Sequence, residues 1–186
     1  MIITHAKDKL INLIIYFVNN TKHCGKTKLF KLLFFSDFTS FKITGKSITG
    51  LDYFAWPKGP VPVSLFNEME APDKDFAHNF SISKLDASDR LNIKPKNNVK
   101  FNDQHFTKVE LEIIERIAFI YKDALAKDIV EVTHLKNSPW DKTLKTKGKN
   151  QKIDYLLAFD SDTTSLSVEE YRQHKEDNDD IDRLLS

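Results

Sequence analysis

The residues of this 186-residue chain that most suggest chemistry lie near position 25. Val18-Asn-Asn-Thr-Lys-His-Cys leads to Gly25-Lys26-Thr27 and then to an apolar helical stretch, a layout resembling loops whose amides and lysine cradle nucleotide phosphates. That loop needs a glycine five positions before Gly25, where Asn20 stands. Tyr155-Leu-Leu-Ala-Phe-Asp160 imitates the acidic strand that holds magnesium in such enzymes. Against both stand a total of five glycines and the lack of the alternating strand and helix pattern of nucleotide folds, so a nucleotide-binding enzyme ranks last among the readings.

Other reactive groups are dispersed. His5, His23, His78, His105, His134 and His174 show no pair at metal-ligand spacing, and Cys24 is the lone cysteine, which excludes an internal disulfide and a cysteine-rich zinc shell. Cys24 adjoins His23, but sequence neighbours point apart, and a thiol nucleophile needs a positioned base. Asp160 with Asp162, and Glu169 with Glu170, fall where exposed acids are ordinary. His134 ahead of Trp140 reads either as an exposed hydrogen-bonding pair or as a histidine packed at a helix end. The expectation is a protein with no catalytic residues, no metal and no cofactor.

The elements that would position these residues follow from periodicity. Leu10, Ile11, Ile14, Ile15 and Val18 give a half-buried first helix over 4–18, stopped by Asn19-Asn20. From Lys26 to Phe41, eight apolar residues cover too much of the circumference for a surface helix, which predicts a central one. Asp37 inside it must find hydrogen-bond partners or sit at a groove. Thr44–Gly50, with Gly45 and Gly50, reads as a turn, and 52–56 as a short aromatic strand. Pro57, Gly59, Pro60 and Pro62 predict a stiff loop, with Pro62 opening a helix over 63–70. Strands over 81–85 and 90–95 form a hairpin through Asp86–Asp89. Thr107-Lys-Val-Glu110 is a capping box, flanked by Phe106 and Leu111 at staple positions, and Val109, Ile113, Ile117 and Ile120 mark the buried stripe behind it. A helix over 124–134 turns Leu125, Ile129 and Val132 inward, and Asn137-Ser-Pro139 closes it. Residues 142–152 are expected to be an exposed Lys-rich loop, and Ser167–Glu170 a second capping box opening an acidic terminal helix.

Together these predict an α+β fold: one mainly helical domain over 1–186, with a core at about 4–160, a central apolar helix, a small antiparallel hairpin and an acidic helical segment at 161–186. Hydrophobic residues at 40% and fourteen Phe suit a packed aromatic core. The formal charge of +1 is unevenly spread. Residues 1–60 carry nine Lys against Asp8, Asp37 and Asp52, whereas 161–186 carry eight acids against Arg172, Lys175 and Arg183. This dipolar layout can steer a partner but falls short of a general nucleic-acid surface. The apolar run Leu10–Val18 is broken by Asn12 and lacks a cleavage site, and nothing is long enough to span a membrane, so a cytoplasmic chain is expected.

Lys28-Leu-Phe-Lys-Leu-Leu-Phe-Phe-Ser-Asp37, Thr44-Gly-Lys-Ser-Ile-Thr-Gly50, Tyr53-Phe-Ala-Trp-Pro-Lys-Gly-Pro-Val-Pro62 and Leu65 resemble, in order and spacing, the core signature of the Panacea (SocA-like antitoxin) domain. Phe106–Glu112 and Asp128–His134 followed by Pro139-Trp140 resemble its second half, so the resemblance covers nearly the whole chain. Lys58 stands where the family usually has a tyrosine or similar residue, and Thr133 where it has a serine. The resemblance implies an antitoxin of a bacterial or phage type II toxin–antitoxin pair, neutralising the toxin of an adjacent gene by direct binding, with protease-adaptor action as a variant. A further alternative, common among antitoxins, is an autorepressor reading operator DNA through the Lys-rich first sixty residues. Tyr53, Trp56, Lys58, His134 and Trp140 are the expected toxin-binding residues. Asp37, Gly45, Gly50, Pro57, Gly59, Pro60 and Pro62 are the expected structural motif. An acidic C-terminal segment could also occupy a basic cleft on the toxin.

Overall fold

The computed structural model describes residues 2–84 and 91–159, with side chains from residue 6 onward. Two long helices begin it, α1 (Ile2–Asn20) and α2 (Lys26–Thr44). Every side chain of α2 from Lys28 to Ser40 is buried, so α2 is the axis of the core, as its all-round apolar pattern predicts. Gly45 ends it in the left-handed region (φ 73°), its amide returning to the Phe41 carbonyl.

The Pro-Gly segment is not a loop. β1 (Tyr53–Trp56) pairs antiparallel with β2 (Gly59–Pro62) from Tyr53↔Pro62 to Trp56↔Gly59, leaving Pro57-Lys58 as the turn. The prolines stand at alternate positions, so Gly59 and Val61 retain the amides a strand needs, and β2 is an edge strand where proline is tolerated. Residues 150–153 line the other side of β1: Asn150 N donates to Ala55 O at 2.8 Å, Ala55 N to Gln151 O at 2.9 Å, and Ile153 N to Tyr53 O at 2.8 Å. β1 is thus the middle of a three-stranded layer.

Helices α3 (Val63–Glu70) and α4 (Lys74–Asn79) lead to the second hairpin, β3 (Phe80–Lys84) with β4 (Leu91–Pro95). The connection predicted at 86–89 lies outside the described residues. Asn12, the polar break in α1, is buried and accepts the Asn102 amide at 2.8 Å, tying the segment after β4 to the first helix. The capping box of α5 (Lys108–Ile120) forms as predicted, and the Glu110 carboxylate also meets Lys9 Nζ at 2.6 Å. Ile113, Ile114 and Ile117 enter the core, but Ile120, the last residue of the helix, is 40% exposed.

α6 (Ala126–Thr133) begins after Leu125, which is 43% exposed instead of inward, because its amide is the one taken by the Asp128 carboxylate at 2.9 Å. The expected loop over 142–152 is largely helix α7 (Pro139–Lys147). Ser138 caps it by accepting the Asp141 amide, Pro139 occupies the first turn, and Lys145 and Lys147 sit at the negative end of the dipole. The same Asn-Ser-Pro tripeptide that closes α6 therefore opens α7. A 3-10 turn, Tyr155–Ala158, comes next, and the second capping box and terminal helix predicted at 167 onward lie outside the described residues. Among the described residues no helix is long and apolar enough to cross a membrane.

Candidate functional site: the clamped Pro-Gly hairpin

Gly25-Lys26-Thr27 opens α2, but helix α1 precedes it where a phosphate loop needs a strand. Lys26 is occupied elsewhere, paired with Glu70 at 2.7 Å and lying 4.4 Å from the centre of the Phe66 ring. Cys24 is buried, which pushes its thiol up to about 11, the opposite of what a nucleophile requires. No group of three or more potential metal ligands occurs among the described residues.

The expected motif residues instead build a clamp. In α2, Lys31 is 1% exposed and donates to Pro60 O at 2.7 Å. That carbonyl faces away from β1 on the edge of β2, so without Lys31 it would be buried and unsatisfied. Burial pushes Lys31 down to about 7. Gly59, at φ 95°, fits against both α2 and α6: a Cβ there would stand 2.8 Å from Thr133 Oγ1 and 2.9 Å from Lys31 Cε.

Behind the turn, His134 at the end of α6 stacks on Trp140 of α7, ring centres 3.9 Å apart and 12° from parallel. Trp140 donates through Nε1 to Trp56 O at 2.9 Å. Trp56 in turn meets Phe66 of α3 at 5.2 Å. Burial, and then the nearby Lys31 charge, hold His134 below its usual range, so the ring is neutral near pH 7. Its Nε2 is enclosed and has no hydrogen-bond partner among the described residues.

A second network holds the other end of the hairpin. Asp37 is fully buried in α2, and its carboxylate accepts the Thr49 amide (2.7 Å), the Thr49 hydroxyl (2.5 Å) and the Tyr53 hydroxyl (2.6 Å). Burial outweighs these bonds and pushes Asp37 up to about 6. Gly50 at φ 72° lets the chain turn from Thr49 into β1. Asp37 thus ties the 44–50 turn and β1 to the central helix.

Among the predicted contact residues, Trp56, His134 and Trp140 come together, with Lys58 exposed on the adjoining turn. Trp56 and His134 are half-buried, whereas Trp140 is only 7% exposed and braces them. Tyr53 lies apart from this face, fully buried on Asp37. Sequence reasoning does not single out Lys31, since an isolated lysine in an apolar helix carries no signal beyond its misfit with the greasy face.

A family model, antitoxin SocA-like, Panacea domain, matches residues 29–141, from the first turn of α2 to the first turn of α7. The match spans more than half of the chain and includes the Asp37 network, both halves of the clamp and the His134–Trp140 stack, and it is narrower than the near-complete coverage suggested by the sequence. No curated protein and no solved structure matches.

Proposed function

We propose, from the premise that the chain belongs to the SocA-like antitoxin, Panacea-domain family, that it neutralises a cognate toxin by binding it directly, without catalysis of its own. The observation that carries this reading is the clamped hairpin. Its two ends are fixed by buried polar anchors, Lys31 on Pro60 and Asp37 on Tyr53, while Lys58 and one side of Trp56 and His134 remain open to solvent. A preorganised aromatic and cationic turn binds with little ordering entropy lost, which is how a small contact patch becomes a hot spot. Trp140 supports this face from beneath, and Tyr53 anchors the other end of the hairpin.

The test is co-expression with the toxin of the adjacent gene, scoring growth and recovering the complex by affinity capture and size exclusion. Growth rescue with a stable complex supports the proposal. The double variant Trp56→Ala/Lys58→Glu should weaken the complex at least about 100-fold, as loss of an interface hot spot does, while the free protein still folds. Rescue without a complex points to protease delivery or operator binding and overturns direct neutralisation. A complex unaffected by the double variant places the interface elsewhere.

A further inference from the structure

The corner between α5 and α6 is apolar at its surface. Phe119, in the last turn of α5, is 74% exposed, the most of any large apolar side chain among the described residues. Ile120 (40%) and Leu125 (43%) belong to the same corner, so three such side chains fall within the stretch 119–125. One exposed apolar residue is ordinary, whereas several together favour a cover. The corner is also held rigid from below. Lys28 Nζ, from the buried core of α2, donates to the carbonyls of Ala124 at 2.7 Å and Lys122 at 3.3 Å, and the Lys22 amide donates to Lys122 O at 2.8 Å. Tyr121, next to Ile120, stacks on Phe35 with ring centres 5.2 Å apart and 8° from parallel. The exposed groups therefore stand on a fixed frame, and covering them costs little ordering entropy.

The charges around the corner bear on what covers it. Its exposed acids, Glu115, Asp123 and Asp128, are matched by Lys22, Lys122 and Lys127, also exposed. Asp123 is paired with Lys22 at 2.7 Å, and the Asp128 carboxylate accepts the Leu125 amide. A rim of balanced sign favours neither a strongly acidic nor a strongly basic partner. Its order along the chain is self-complementary. Glu115 lies one helical turn before Phe119, and Lys122, whose amide returns to the Phe119 carbonyl at 3.4 Å, lies just after it. A two-fold axis beside Phe119 sets two α5 ends antiparallel. Each Glu115 then meets the Lys122 of the other copy, while the two Phe119 rings pack at the centre, an apolar core with a polar rim.

We propose that this corner is the interface between two copies of the chain, an isologous dimer centred on Phe119 and held in register by Glu115 and Lys122. None of these residues belongs to the hairpin face, and the dimer does not rest on the antitoxin reading.

The experiment is sedimentation equilibrium of the full chain with no toxin present. The weight-average mass should climb with concentration from that of one chain towards that of two, with a dissociation constant on the order of 10–100 µM, as suits a small interface. Phe119→Glu should weaken association at least about 30-fold, as removal of a central anchor does. Glu115→Lys and Lys122→Glu should each weaken it at least about fivefold by setting like charges opposite one another. An equimolar mixture of these two variants should recover the wild-type value, because each supplies the sign that the other lacks. Mixing does not repair a folding defect, so this rescue isolates the contact. A mass that stays at one chain overturns the proposal, as does a dimer indifferent to Phe119→Glu or a mixture no tighter than its components. A monomeric chain that loses its toxin complex through Phe119→Glu assigns the corner to the toxin and overturns it as well.

Discussion

Replacing Lys31 by methionine should convert a pH-dependent protein into one whose stability is flatter between pH 7 and 9. Lys31 has its ordinary value of 10.5 in the unfolded chain and about 7 in the fold, where burial disfavours the ammonium. In that window the unfolded state binds the proton that the folded state has lost, so stability rises with pH. At pH 7 this displacement costs about 4 kcal/mol, and raising the pH to 9 recovers about 2 kcal/mol of that. Cys24 works in the other direction, since its raised value removes stability as pH climbs above about 9, so the comparison stops there. The Lys31→Met substitution removes this titration but leaves Pro60 O without its donor, a loss of about 1–3 kcal/mol that does not depend on pH. Urea unfolding followed by tryptophan fluorescence at pH 7 and 9 measures both effects. The wild-type chain should gain about 2 kcal/mol more than Lys31→Met across this interval. Equal gains in the two proteins would show that Lys31 keeps its charge and that the buried-amine account of the clamp is wrong.

Asp37 gives the opposite slope at lower pH. Its folded value is raised to about 6, so the fold holds its proton more tightly than the unfolded chain, and stability is lost as pH rises from about 4 to 6 by about 2 kcal/mol. Asp37→Asn should remove that component, read as the pH-dependent difference between variant and wild-type urea midpoints. Gly59→Ala should lower stability by about 2–4 kcal/mol, because it combines φ 95° with a contact of 2.8 Å to Thr133 Oγ1, and a thermal midpoint within a degree of wild type would contradict the close approach. Lys28 is buried in α2 and donates to the carbonyls of Lys22 (2.7 Å), Ala124 (2.7 Å) and Lys122 (3.3 Å), pinning the turns after α1 and α5 together. Lys28→Met should therefore cost about 3 kcal/mol or more and speed amide exchange in both turns. Trp140→Phe keeps the ring stack on His134 but loses the bond to Trp56 O, and a loss of about 1 kcal/mol in urea unfolding is expected.

Elements whose identity depends on local pattern were legible in the chain. The all-round apolar run of α2 announced a central helix, and Thr107 and Glu110 announced the start of α5. Local signals with two meanings were less so. Pro60 and Pro62 argue against a strand, yet their spacing leaves the amides of Gly59 and Val61 free for β1, so an edge strand forms. Asn-Ser-Pro ends one helix as readily as it begins another, and the Lys-rich composition of 142–147 hid that the same tripeptide caps α7 with Asp141 in its first turn.

Short-range spacing and side-chain type were enough to specify the helical core and the family, but not the pairing of β1 with β2 or the Lys31 clamp on it. What the hairpin residues do was settled by contacts between distant parts of the chain. Folding buried Tyr53 on Asp37, 16 positions away, and left Lys58 exposed although Tyr53 and Lys58 belong to one hairpin. It also put Lys31 under Pro60, 29 positions on, and His134 against Trp140 behind Trp56. The charge of a lysine or an aspartate is written in its side chain. Whether it is retained depends on the water and partners left around it, and folding alone sets these.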